Sequence, residues 1–308
     1  MKLLVTGAVQ WDKDYLNQIS NLGNEIIYVQ DERISLDEQQ INVSEIEGVI
    51  CNGLFLYNNI EDFINLKYIQ LTSAGYDRVP MDYIKDHNIK IYNAKGVYSI
   101  PMAEYAVCGV LELYKNTSFF YENKKIKKWG KCRTLLELAN KNVLIIGCGN
   151  VGIECAKRFK AFDCQVDGVD LYPYKSEVFE NIYHLDFLDS ELSKSDIVVL
   201  TLPLTEETMN LFDKSKFFKM KESAVLVNIS RGKVVNQNDL IDILKEKKIY
   251  GAVLDVFENE PLDKESQLWN MSNVVLTPHN SFVGENNRNR LQKVIVHNLK
   301  NYGKEENM

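Results

Sequence analysis

The sequence predicts an α/β protein built from two doubly wound parallel-sheet domains. Three observations carry that expectation. Short β-rich apolar runs alternate with helical stretches over the first hundred residues, a second and longer alternation of the same kind begins at 142, and a glycine-rich GCGNVG at 147–152 stands between a run and a helical stretch. Short continuous apolar runs bounded by turn residues suit strands covered on both faces, as in parallel sheets flanked by helices.

Taken in order, the first runs are LLVTG at 3–7, EIIYV at 25–29, GVICNG at 48–53, YIQLTSAG at 68–75 and IKIYNA at 89–94. A helix is expected over 101–121. Pro101 suits a first helical turn, where no N–H is required, and Ala103, Val107, Val110, Leu111 and Tyr114 recur at helical spacing. A lysine-rich, weakly patterned stretch continues to about 140. Six further runs follow: NVLIIG at 142–147, QVDGVD at 165–170, DIVVLTLP at 196–203, AVLVNIS at 224–230, YGAVLDVF at 250–257 and VVLTPH at 274–279. With helical spacers between them they match a doubly wound sheet, whose ligands bind beyond the carboxyl ends of the strands. A last helix is expected over 284–302, with Leu291, Val294, Ile295 and Leu299 on one face, and the tail KEENM at 304–308 is expected to fray.

Composition narrows the function. The 308 residues are 45% apolar and 26% charged, as in ordinary soluble proteins of two domains. A net charge of −7 argues against a nucleic-acid partner. The basic cluster Lys124, Lys125, Lys127 and Lys128 reads as a solvated helix end or loop. No apolar run reaches membrane-spanning length, so no membrane partner is expected, and the start MKLLVTGAVQWDKD reads as a first buried strand rather than a secretory signal. The cysteines at 51, 108, 132, 148, 155 and 164 form no CxxC pair and are expected to be reduced, buried thiols of a cytoplasmic protein. His87, His184, His279 and His297 are scattered without metal-ligand spacing, so no metal is expected.

The glycine motif directly follows a strand and opens a helix. In that context Gly147 permits a tight turn, Gly149 lets backbone approach a pyrophosphate, and Gly152 lets helix pack on strand, while the helix N-terminus offers N–H groups to phosphate. Asp170 ends the next run, where a carboxylate can accept from a ribose 2′-OH. A 2′-phosphate would meet like charge there with no Arg immediately following. NAD is therefore expected over NADP.

Three later strand ends carry chemistry: Arg231 in NISRGKVVN, Glu260 in LDVFENEPL and His279 in VVLTPH. A guanidinium offers a planar fork of donors, an imidazole exchanges protons near neutral pH, and a carboxylate paired with that imidazole favours its charged form.

With SAGYD at 73–77, the AEY of PMAEYAV at 101–107, GCGNVG, LPLTEET at 202–208, NISRGKVVN, LDVFENEPL and TPH at 277–279 in this order, the chain resembles the D-isomer-specific 2-hydroxyacid dehydrogenases over nearly its whole length. The resemblance implies an NAD-dependent oxidoreductase acting on a small D-2-hydroxy acid or 2-keto acid such as glyoxylate, hydroxypyruvate or pyruvate, with Arg231, Glu260 and His279 as catalytic residues. It implies cofactor contacts at Gly147, Gly149, Asn150, Val151, Gly152, Asp170, Leu202, Pro203, Ile229, Ser230 and Asp255, with Asp255 holding the nicotinamide carboxamide. Substrate contacts fall to Arg231 and to the backbone of Ser73, Ala74 and Gly75. It further implies a flavodoxin-like substrate domain, 1–99 plus 284–308, into which a Rossmann nucleotide domain, 100–283, is inserted, with the substrate in the cleft between them. A homodimer through the nucleotide domain is also implied, for which the helix after Pro101 and the arm with Phe119, Phe120 and Trp129 are the candidate surface. Glu260 argues against formate, because formate-specific relatives carry Gln there. Tyr76, Pro101, Met102 and Asn280 depart from the commoner family pattern and leave the pocket's shape open. An NAD(H)-sensing co-repressor and a phosphite-oxidising enzyme share these motifs and remain alternatives at this level.

Overall fold

The structure, a computed structural model, describes residues 1–305. The chain divides into two compact units, Met1–Tyr98 with Gly284–Met308, and Ser99–Val283.

The first unit begins β1 (Lys2–Thr6), α1 (Lys13–Asn21), β2 (Glu25–Val29), β3 (Gly48–Cys51), β4 (Tyr68–Leu71), α2 (Met81–Asp86) and β5 (Lys90–Tyr92). Its five strands pair in parallel in the order β2-β1-β3-β4-β5. Strands β3 and β4 are buried at every position, as expected of central strands covered on both faces. One face packs Leu4, Val49, Ile69 and Leu71 against Leu36, Leu54 and Ile84. The other packs Leu3, Val5, Ile50 and Tyr68 against the chain's last helix, Asn287–Glu305, through Leu291, Ile295, Val296, Leu299 and Tyr302. That helix covers the sheet because its apolar residues share one stripe, and Asn298 Nδ2 donates to the buried Gln70 side chain at 2.9 Å.

The second unit comprises α3 (Ser99–Tyr114), α4 (Thr117–Lys125), β6 (Asn142–Ile146), α5 (Asn150–Lys160), β7 (Gln165–Asp170), β8 (Ile182–His184), α6 (Leu188–Leu192), β9 (Ile197–Leu200), α7 (Lys214–Phe217), β10 (Val225–Asn228), α8 (Gln237–Lys245), β11 (Gly251–Leu254) and β12 (Val274–Leu276), so the last helix is α9. Its seven parallel strands run β12-β11-β10-β9-β6-β7-β8. The order reverses between β6 and β9, which places a ligand crevice beyond their carboxyl ends. Helices α3 and α5 cover one face, and residues of α6, α7 and α8 the other.

Several expectations change. The helix expected over 101–121 is two helices, because Asn116 adopts a left-handed conformation at φ 48° between them. A seventh strand, β8, lines the edge of the second sheet. The runs drawn through 75, 230, 257 and 279 stop as strands at Leu71, Asn228, Leu254 and Leu276, and the remaining residues form loops. Helix α9 continues through Glu305, so the tail expected to fray is helical at 304–305; its last three residues, 306–308, lie outside the described residues. The cysteines are free thiols, but Cys108 is exposed and Cys132 partly so, whereas Cys51, Cys148, Cys155 and Cys164 are buried. Among the described residues no helix is long and apolar enough to cross a membrane, and no cluster of three or more His, Cys, Asp or Glu could hold a metal ion.

Candidate active site

The glycine loop joins β6 to α5 at the point where the strand order reverses. Gly147 has φ +97°, and a side chain there would collide with the Thr201–Leu202 peptide that follows β9. The Thr201 hydroxyl closes the contact by donating to Gly147 O at 2.6 Å. At Gly152 an added Cβ would lie 2.2 Å from Gly147 O, so only glycine lets α5 start this close to the strand end. Gly149, by contrast, faces open space, and as N-cap of α5 it leaves the helix's first N–H groups without a side-chain partner. Asn150 and Val151 continue that first turn. An uncapped turn beneath an open glycine is what a pyrophosphate requires, so these residues fit a dinucleotide. Asp170 ends β7; its Oδ2 accepts from Cys148 N at 2.8 Å and its Oδ1 from Tyr172 N at 3.0 Å. Leu202 is half-buried and Pro203 exposed beyond β9, on the other side of the reversal.

Strands β10, β11 and β12 are adjacent, so the loops at their carboxyl ends are neighbours. After β10, Asn228 organises the turn. Its Oδ1 accepts from Ser230 N at 3.1 Å and Ser230 Oγ at 2.8 Å, and its Nδ2 donates to Arg231 O at 3.1 Å. Ile229 and Ser230 are buried, while Arg231 is half-buried and Nη1 donates to Ser230 O at 2.8 Å. A Cβ on Gly232 would stand 1.9 Å from the Phe257 carbonyl, so this turn lies directly on the loop that follows β11. In that loop Glu260 Oε1 accepts from Phe257 N at 3.1 Å. Its other oxygen, Oε2, is 2.8 Å from His279 Nδ1. The pair is partly open to solvent, with side-chain exposures of 43% for His279 and 36% for Glu260. A pair this exposed contributes at most about 1 kcal/mol to stability; its consequence is orientation, because it fixes the ring through Nδ1.

His279 itself has φ +50°, an uncommon conformation for a residue with a side chain. Asp255 holds it there. Its carbonyl accepts from His279 N at 2.7 Å, and its fully buried carboxylate accepts from Thr277 Oγ1 at 2.5 Å, Asn280 N at 2.7 Å and Ser281 N at 3.0 Å. The Tyr105 phenol, from α3, lies 2.6 Å from the Thr277 hydroxyl, and burial pushes it up to about 12, so it stays protonated. Asn280 contributes its backbone N–H to this anchor.

The family model described as "D-isomer specific 2-hydroxyacid dehydrogenase, NAD binding domain" matches residues 107–281. The chain belongs to the D-isomer specific 2-hydroxyacid dehydrogenase family. This dehydrogenase is 34% identical over 277 residues to a protein named glyoxylate reductase from Thermofilum pendens, covering 86% of this chain and 80% of that one. It is 31% identical over 274 residues to one named hydroxypyruvate reductase from Thermotoga maritima, covering 87% and 88%. Among solved structures, a D-isomer specific 2-hydroxyacid dehydrogenase family protein from Aeromonas salmonicida matches with a TM-score of 0.80 at 27% identity, covering 98% of this chain and 95% of that chain. The dehydrogenase is thus an NAD-dependent oxidoreductase acting on the CH–OH group of small 2-hydroxy acids, or in reverse on 2-keto acids.

The structure brings Glu260 and His279 into contact and sets the Arg231 turn against the Glu260 loop. Ser73, Ala74 and Gly75 belong to the other unit, in the turn after β4, where Ser73 Oγ donates to Gly75 O at 3.0 Å and Asn93 Nδ2 to Ala74 O at 2.6 Å. Arg78 and Tyr76 beside them are exposed. Two residues of the dehydrogenase site were not anticipated from sequence: Asn228, which shapes the Arg231 turn, and Thr277, which ties the histidine loop to Asp255. Both stand inside matched motifs, NISRGKVVN and TPH, and a small polar residue at the end of an otherwise apolar run was the available signal.

Proposed function

We propose that this dehydrogenase reduces a small 2-keto acid of the glyoxylate and hydroxypyruvate type, with Arg231, Glu260 and His279 as its catalytic residues. The observation that carries the proposal is the Glu260–His279 pair at 2.8 Å, on loops adjoining the Arg231 turn at the carboxyl edge of the nucleotide sheet. The relatives named glyoxylate reductase and hydroxypyruvate reductase support the substrate class. Gly147 to Gly152, Asp170, Leu202, Pro203, Ile229, Ser230 and Asp255 surround or support the place for NAD(H), which supplies the hydride when bound. Arg231 clamps the substrate carboxylate and polarises the ketone oxygen. His279 Nε2 donates the proton to the forming alkoxide and takes it back in the reverse direction, while Glu260 orients the ring through Nδ1. In an NADH-oxidation assay across a panel of 2-keto acids, glyoxylate and hydroxypyruvate should turn over, and NADH should outperform NADPH at equal low concentration. Tight NADH binding without turnover of any panel member would overturn the proposal.

The arm from α4 to β6 supports a homodimer. Trp129 is 96% exposed and Phe120 39%, and Ile126 and Tyr121 in the same arm are 69% and 65% exposed, apolar groups of the kind that mark association surfaces. Light scattering on the purified protein should give the mass of two chains, and a monomer mass would reject the dimer. Free thiols support a reducing, cytoplasmic location.

A further inference from the structure

The glycine loop is held from outside by a short strap, Asp170–Tyr174, that follows β7, and we propose that Tyr174 is the residue that aims the Gly149 N–H at the cofactor's pyrophosphate. The inference rests on the dinucleotide reading of this loop. Cys148 is the second residue of GCGNVG, and each of its polar groups is tethered. Its N–H goes to Asp170 Oδ2 at 2.8 Å. Its carbonyl accepts from the Tyr174 hydroxyl at 2.7 Å. Its side chain is only 2% exposed, with Sγ turned inward 3.7 Å from Val169 O and 3.9 Å from Ile145 O. A trans peptide is planar, with its C=O and the following N–H pointing in opposite directions. Fixing Cys148 O through Tyr174 therefore fixes the direction of Gly149 N–H, on the opposite side of the plane from the phenol. Gly149 has open space around its missing Cβ, so without the phenol nothing of its own would resist a flip of that peptide. The strap thereby joins two tasks. Asp170 holds the 147–148 peptide and Tyr174 the 148–149 peptide, while Asp170 also takes Tyr172 N at 3.0 Å, which closes the strap on itself. Tyr174 is a positioning residue, since it acts on the cofactor through the Cys148–Gly149 peptide.

The test is Tyr174→Phe, which removes one hydroxyl from a ring that is 43% exposed and leaves its packing in place. Dissociation constants for NADH and for ADP-ribose, which carries the adenosine and pyrophosphate without nicotinamide, should both rise about tenfold, as expected for one hydrogen bond to a loop carbonyl left unsatisfied. At saturating NADH, kcat and the KM for the keto acid should equal those of the parent enzyme, and the thermal midpoint should be close to it. ADP-ribose affinity within about twofold of the parent would overturn the proposal. So would a fall in kcat, or a rise in keto-acid KM, that matches the loss of NADH affinity, because general damage to the unit moves all of these together. If the parent protein bound neither NADH nor ADP-ribose, the dinucleotide reading itself would fail, an outcome distinct from either of these.

Discussion

Replacing His279 with alanine should lower turnover of a 2-keto acid by about 10²–10⁴-fold, the usual contribution of a positioned acid–base group, while NADH affinity stays at its parent value. The geometry predicts this separation. The glycine loop and Asp170 lie at the carboxyl ends of β6 and β7, whereas His279 follows β12 at the far end of the strand order, so the adenosine side of the site does not depend on the imidazole. The loop should also survive the change. Its conformation is held by Asp255, through its carbonyl to the backbone N of residue 279 and through its carboxylate to Thr277, Asn280 and Ser281, and none of those bonds uses the imidazole. What disappears is the Nδ1 bond to Glu260 and the ring that the proposed mechanism uses for proton exchange. Steady-state turnover alongside NADH fluorescence titration checks the result, and near-normal turnover of the variant would remove His279 from the mechanism.

Arg231→Lys should reduce kcat/KM by about 10²–10³-fold, even though charge is conserved. A guanidinium presents several donors in one rigid plane, so it can address a carboxylate and a ketone oxygen together. An ammonium is a single point on a flexible stem and cannot bridge both oxygens from the same backbone position. The turn should largely persist without the guanidinium's bond to Ser230 O, because Asn228 bonds the backbone of Arg231 and Gly232 sets the contact with Phe257. Stopped-flow binding of NADH should therefore be unchanged, with the loss confined to steps that involve the keto acid. A lysine variant within about threefold of the parent kcat/KM would show that charge alone is sufficient.

How far the molecule could be read from its residues depends on how much of each feature is local. The parallel sheets were legible because β3, β4, β9, β10 and β11 are buried throughout and advertise that as continuous apolar runs. Strand β8 was not, because it is a short, half-buried edge of Ile182, Tyr183 and His184 with no such run. The ends of strands were misplaced wherever a buried loop continues the run: Ile229, Val256 and Phe257 are as buried as strand residues but pair with no neighbour strand. The break at Asn116 carries neither glycine nor proline, the usual markers of a helix end, although asparagine tolerates the left-handed conformation. In the site, the motif residues were visible, but the Glu260–His279 contact depends on β11 and β12 being neighbours, which periodicity does not contain. Tyr174 lies in a stretch with no pattern at all, and only its hydroxyl's position on the Cys148 carbonyl reveals it.

The return of α9 to the first sheet bears on how the chain is assembled. Residues 99–283 are continuous, so their unit has every strand and helix it needs before synthesis ends. The opening hundred residues emerge earlier yet cannot finish, since the cluster that Leu3, Val5, Ile50 and Tyr68 form with Ile19 of α1 is completed by Leu291, Ile295, Leu299 and Tyr302. A nascent chain therefore carries an incompletely covered apolar sheet face throughout most of translation. That face is the surface a holding chaperone would meet first, and it is where a stalled or prematurely stopped ribosome would leave an aggregation-prone product.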